Sequence, residues 1–120
     1  MAEGRQVSVI VPNLFLRVPV DAAVKAAGHL PLPAADAPAA SRSPAQVVIA
    51  DLGALGPDVP ASVRELVAAG KTVLAFGPHV EGELLATARA AGAVVLPRSL
   101  FLERLPELLR AALPPGGETR

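Results

Sequence analysis

The sequence predicts one α/β domain built on a doubly wound, five-stranded parallel sheet. Two observations carry that expectation. Short β-branched runs (Val7 to Val11, Val47 to Ala50, Thr72 to Phe76 and Ala93 to Leu96) are almost continuously apolar, as parallel strands covered on both faces must be. Between them lie stretches with a 3.6-residue period, three of which end in Ala-Ala-Gly, at Gly28, Gly70 and Gly92. Glycine takes the left-handed position after a helix without a Cβ penalty, so each reads as a helix stop. Their spacings of 42 and 22 residues fit a βα unit of about 21, with one unmarked boundary between the first two.

Each element follows from its own residues. After the first strand, Val20, Ala23, Val24 and Ala27 give a helical stripe. The second strand falls on His29-Leu30-Pro31-Leu32-Pro33. Two prolines two residues apart place both missing N–H groups on one side, which must be an unpaired outer side. That makes it an edge strand, as in the flavodoxin-like order 2-1-3-4-5. Residues Ala37 to Pro44, rich in Ala, Ser and Pro, predict a loop or one short turn, a degenerate second helix. Later stripes at Val63, Leu66 and Val67, at Leu84, Leu85 and Ala88, and at Phe101, Leu105, Leu108, Leu109 and Ala112 supply the remaining helices. The domain is expected over 1–113, with 114–120 as a frayed tail.

Composition excludes several functions. Eleven basic and eleven acidic residues give a formal net charge of zero, with no cationic stripe for a phosphate backbone, so nucleic acid is not an expected partner. Three Phe and no Trp or Tyr leave little surface for stacking bases. The absence of Cys and the two isolated His residues remove thiolate chemistry and any zinc signature, so no metal or cofactor is expected. The longest apolar stretch, Val7 to Val20, is interrupted by Pro12, Asn13, Arg17 and Pro19 and is neither a membrane span nor a signal peptide. A soluble, cytoplasmic protein is the expectation.

In such sheets reactive groups lie at the carboxyl ends of the strands. Here those loops are Pro12-Asn13, Asp51-Leu52-Gly53, Gly77-Pro78-His79 and Pro97-Arg98-Ser99. Around them the chain resembles the receiver (CheY-like) domains of bacterial response regulators. Val7 to His29 resembles the receiver's first strand and helix. Val47 to Leu52 resembles the strand ending in the phospho-accepting aspartate, and Ala91 to Leu105 the last strand and helix. The resemblance implies that Asp51 holds the acceptor position and that the metal-binding acid pair falls on Val11 and Pro12, with only neutral Asn13 nearby. The conserved hydroxyl residue falls on Gly77, the aromatic switch on Val95 and the invariant lysine on Arg98. Magnesium needs oxygen ligands, so an isolated Asp51 would hold it poorly. The chain is therefore expected to be an atypical, degenerate member, without an enzymatic activity of its own.

Each candidate residue also has a structural reading. Asp51 can accept backbone hydrogen bonds in its own loop. Asn13 and Ser99 can cap helices, His79 can serve a turn, and Glu81 and Glu83 suit a helix dipole without a catalytic role. Three functional readings follow. The first is a signalling module working through a protein partner or homodimer, with Phe101 and Leu102 at the interface because one helical face cannot bury both. A second is a small-anion or nucleotide binder using Gly77, His79, Arg98 and Ser99; the weakest is an acid/base enzyme using Asp51 and His79. A standing ion pair between Asp51 and Arg98 is expected to lock the receiver-like site.

Overall fold

A computed structural model describes residues 5–114; beyond Pro114, the tail expected over 114–120 lies outside the described residues. In chain order the elements are β1 Gln6–Ile10, α1 Leu14–Ala26, β2 Leu30–Pro33, α2 Ala37–Arg42, β3 Val47–Asp51, a 3-10 turn Leu52–Ala54, α3 Val59–Ala68, β4 Thr72–Gly77, α4 Gly82–Ala90, β5 Val94–Pro97 and α5 Arg98–Ala112. All strand pairs are parallel and the order is β2-β1-β3-β4-β5. The fold class and strand order are those the sequence predicts. The short α2 occupies the Ala37 to Pro44 stretch.

Alternation along the strands divides the core in two. Val7, Val9, Ile49, Leu74 and Phe76 meet Val20 and Val24 of α1 and Phe101, Leu105 and Leu109 of α5. On the other face Ile10, Val48, Ala50, Val73 and Ala75 meet α2, α3 and α4. Both α1 and α5 run through an internal proline, Pro19 and Pro106. Each proline forgoes one helical hydrogen bond, and packing on the sheet sustains the helix around it.

The three Ala-Ala-Gly stops adopt positive φ, 89° at Gly28, 85° at Gly70 and 116° at Gly92. A Cβ on Gly28 would meet open space, whereas one on Gly92 would lie 3.1 Å from Val67 Cγ2. Gly28→Ala is therefore expected to cost about 1–2 kcal/mol from the left-handed backbone alone, and Gly92→Ala measurably more. Thermal unfolding of the two variants checks this; equal shifts would mean that the Val67 contact relaxes freely.

Both edges of the sheet are blunted. Leu30 N donates to Arg5 O at 2.9 Å and Ala34 N to Val9 O at 3.0 Å, so alternate residues of β2 face β1 while Pro31 and Pro33 face outward. At the opposite edge Arg89 reaches from α4 to β5, its Nε and Nη2 donating to Val95 O at 3.2 and 3.1 Å. At the amino end of the sheet, Lys71 Nζ donates to both Ser43 O and Ala45 O at 2.6 Å. Ser43 Oγ also accepts from Ala45 N at 2.9 Å and pairs with the fully buried Ser8 Oγ at 3.0 Å. This small network ties β1, the α2–β3 connection and the start of β4 together.

Candidate functional site

The carboxyl ends of β1, β3, β4 and β5 converge on one open cavity of about 290 Å³, lined by Pro12, Asp51, Gly53, Ala54, Pro78, Glu81, Leu84 and Arg98. Asp51 ends β3 and Gly77 ends β4, while Arg98 opens α5. Val11, at the head of β1, is buried and apolar, and Pro12 follows it into the cavity wall.

The charged groups here are arranged differently from the expectation. Asp51 Oδ1 accepts from Gly53 N at 3.0 Å, turning the carboxylate toward its own loop as the N-cap of the 3-10 turn. Among the described residues the side-chain ion pair within 4 Å is Arg17–Asp21, and Asp51 forms none with Arg98. The expected lock is thus absent. A hydrogen bond two residues away needs almost no ordering of the chain, and Arg98 also borders an apolar groove with Leu16, Val20, Phe76, Phe101 and Leu102.

Asn13 caps α1, its Oδ1 accepting from Phe15 N at 2.9 Å. Ser99 does not cap α5. Pro97 holds the N-cap position, with φ −59°, and Arg98 is already helical, because the fixed proline φ passes the chain from strand to helix without a loop. His79 is exposed and, like Ser99 and Gly77, does not line the cavity that holds Arg98. Of the four proposed anion ligands Arg98 lines this cavity, and of the proposed acid/base pair Asp51 does. Two carboxylates, Asp51 and Glu81, share the cavity instead. Glu81 is the N-cap of α4 but makes no side-chain cap hydrogen bond. Its place in the cavity depends on the path of the β4–α4 loop and left no signal in the sequence.

Gly77 is closed off from behind. A Cβ there would lie 3.0 Å from Leu85 Cδ2 and 3.5 Å from Leu52 Cδ1, so two leucines fill the space a larger residue would need. Phe101 is buried against Phe76, with ring centroids 4.9 Å apart. Leu102 is partly exposed, the division expected of adjacent apolar residues on one helix. The oxygen donors fit magnesium poorly, since β1 contributes none and one Asp51 oxygen is engaged. No group of three or more His, Cys, Asp or Glu able to hold a metal occurs among the described residues.

No protein-family model matches the sequence, and no curated protein matches it. Solved structures do. NtrX from Brucella abortus superposes with a TM-score of 0.75 at 21% identity over 92% of this chain, which spans only 27% of NtrX. A response regulator from Thermotoga maritima matches with a TM-score of 0.75 at 19% identity, covering 92% of this chain and 98% of that one. The fold is that of a receiver domain. The receiver domain of the sensor histidine kinase PA1611 from Pseudomonas aeruginosa PAO1, solved with a magnesium ion coordinated in its active-site cleft, matches with a TM-score of 0.74 at 17% identity over 91% of this chain and 97% of its own. The receiver fold accounts for the strand order. Among the described residues, no helix is long and apolar enough to cross a membrane.

Proposed function

We propose that this receiver-fold chain is a signalling module that acts through protein contact and is not switched by magnesium-dependent phosphorylation of Asp51. The observation that carries this reading is the head of β1. Val11 and Pro12 stand where the receiver resemblance puts two metal-binding acids, and neither can donate an oxygen from its side chain. The cleft of the PA1611 receiver domain coordinates magnesium. Here Asp51 faces Glu81 and Arg98 across a cavity walled by proline, alanine and leucine.

Without the metal, a phosphoryl donor would approach two carboxylates with one guanidinium to offset them, which opposes transfer. Gly77, backed by Leu52 and Leu85, offers no hydroxyl to an acyl phosphate. Removing both the metal site and the phosphoryl-sensing hydroxyl leaves a rigid scaffold, whose output is the surface it presents. The test is incubation with acetyl phosphate and magnesium followed by intact-mass measurement. The mass is expected to stay unchanged; a stoichiometric phosphoryl adduct that Asp51→Asn abolishes would overturn the reading.

A further inference from the structure

At the amino ends of the strands, opposite the cleft, His29 joins the end of α1 to β2. Its backbone is fixed on both sides. His29 N donates to Val24 O at 3.0 Å, closing the turn through Gly28, and Leu30 N donates to Arg5 O at 2.9 Å. The side chain completes the contact, with Arg5 N donating to His29 Nδ1 at 3.2 Å. A backbone N–H can only donate, so Nδ1 must offer its lone pair and the ring proton sits on Nε2. Arg5 thus makes two hydrogen bonds to the His29-Leu30 pair, beside the first β1–β2 register position, Gln6 against Leu30. Its guanidinium reaches elsewhere, Nη2 donating to Pro114 O at 3.4 Å just beyond α5. Arg5 also lines an open cavity of about 460 Å³ with Gln6, Pro44, Gln46 and Leu113. One residue therefore ties the start of β1 to the start of β2 and to the end of α5.

We propose that His29 is a proton-operated latch on the amino end of the sheet: the neutral ring holds Arg5, and the imidazolium releases it. Both nitrogens of an imidazolium donate, so a second proton sets a donor against the donor of Arg5 N. It also adds a positive charge beside that of Arg5. The elements packed against β2 are β1 and α1. The charged residue they bring from the β1 side is Arg5, and the one in the last turn of α1 is Lys25, also a cation. Among the described residues no carboxylate lies within 4 Å of the ring to offset them. Burial first, and then the charge of Arg5, hold the His29 pKa below its ordinary 6.5. The unfolded chain therefore binds this proton more tightly than the folded one. The stability that the latch contributes is complete above pH 6.5 and is lost as pH falls through the lower folded value. Neither Asp51 nor phosphorylation enters this argument, so the latch stands or falls apart from the reading of the cleft.

Ring ¹⁵N spectra and amide hydrogen exchange of the full chain between about pH 5 and 8 test it. The protein carries His79→Gln, which keeps His29 as its one imidazole. At the alkaline end the ring is expected as the Nε2–H tautomer, with the Arg5 amide protected. Through the His29 titration, which should lie below pH 6.5, that protection should drop about tenfold, the worth of one hydrogen bond. Ile49 and Leu74 in the central strands should keep theirs. Adding His29→Asn places an amide oxygen near the Nδ1 position, an acceptor that does not titrate, and Arg5 protection should then stay level across the range. The tautomer and the titration are read on protein that retains His29, so they decide even where asparagine unsettles the turn. An Nδ1–H tautomer, a titration above pH 6.5, or Arg5 protection that is level with histidine or falls equally with asparagine overturns the proposal.

Discussion

Phe76→Ala is expected to lower stability by about 3–5 kcal/mol, the usual cost of emptying a buried aromatic site. In a domain of this size that corresponds to a fall in Tm on the order of 10–20 °C. Phe76 is 2% exposed in the middle of the sheet, and its ring meets Phe101 of α5 at 46°. Leu16 of α1 and Arg98 border the same groove. The cavity would therefore open where α1, α5 and the candidate site join, not in an isolated corner of the core. Removing Phe101 as well should cost less than the two single losses together, because the ring pair is then counted once, with a coupling of about 0.5–1.5 kcal/mol. The chain has no Trp or Tyr, so unfolding is best followed by circular dichroism in urea. A loss below that of an ordinary surface substitution would mean that the sheet collapses around the vacancy.

Lys71→Met is expected to cost about 2–3 kcal/mol, since hydrogen bonds from a charged donor are worth more than neutral ones and their carbonyl partners would be left wanting. The methionine keeps the length and apolar stem of lysine, so the variant isolates the ammonium group. That group bridges Ser43 O and Ala45 O, which belong to the chain leading into β3, from the residue just before β4. Lys71→Arg should restore only part of the loss, because a planar fork cannot reproduce a compact ammonium between two converging carbonyls. Urea unfolding of the three proteins checks this, and a methionine variant within about 0.5 kcal/mol of wild type, the range of neutral surface changes, would reduce Lys71 to a solvated side chain.

Features set by local chemistry were legible in the sequence. Pro31 and Pro33 identify an edge strand because a missing N–H cannot be hidden inside a ladder, and Gly28, Gly70 and Gly92 mark helix ends because few other residues accept that backbone. The loops that form the cavity were legible for the same reason, each lying just after an apolar run. What escaped was the direction of side chains across those loops. Asp51 and Arg98 line the same cavity, yet whether the carboxylate bonds Gly53 N or a guanidinium depends on how segments distant in the chain meet, and Arg98 also borders Leu16 and Phe76 from other elements. Ser99 was displaced from the cap by a helix that starts as soon as Pro97 allows. Glu81 reads locally as a residue that suits a helix dipole and Lys71 carries no local pattern, and their roles arise from chain segments that meet only in three dimensions.

The outward prolines of β2 and the Arg89 guanidinium on Val95 O have a consequence for crowded conditions. A growing fibril recruits each new chain by offering it an unfinished row of amides and carbonyls. Here two successive outward positions at one end of the sheet lack the amide, and an outward carbonyl at the other is already engaged. Copies packed closely, on a ribosome-dense message or strung in tandem on one polypeptide, therefore meet an interrupted template for cross-β growth at either edge.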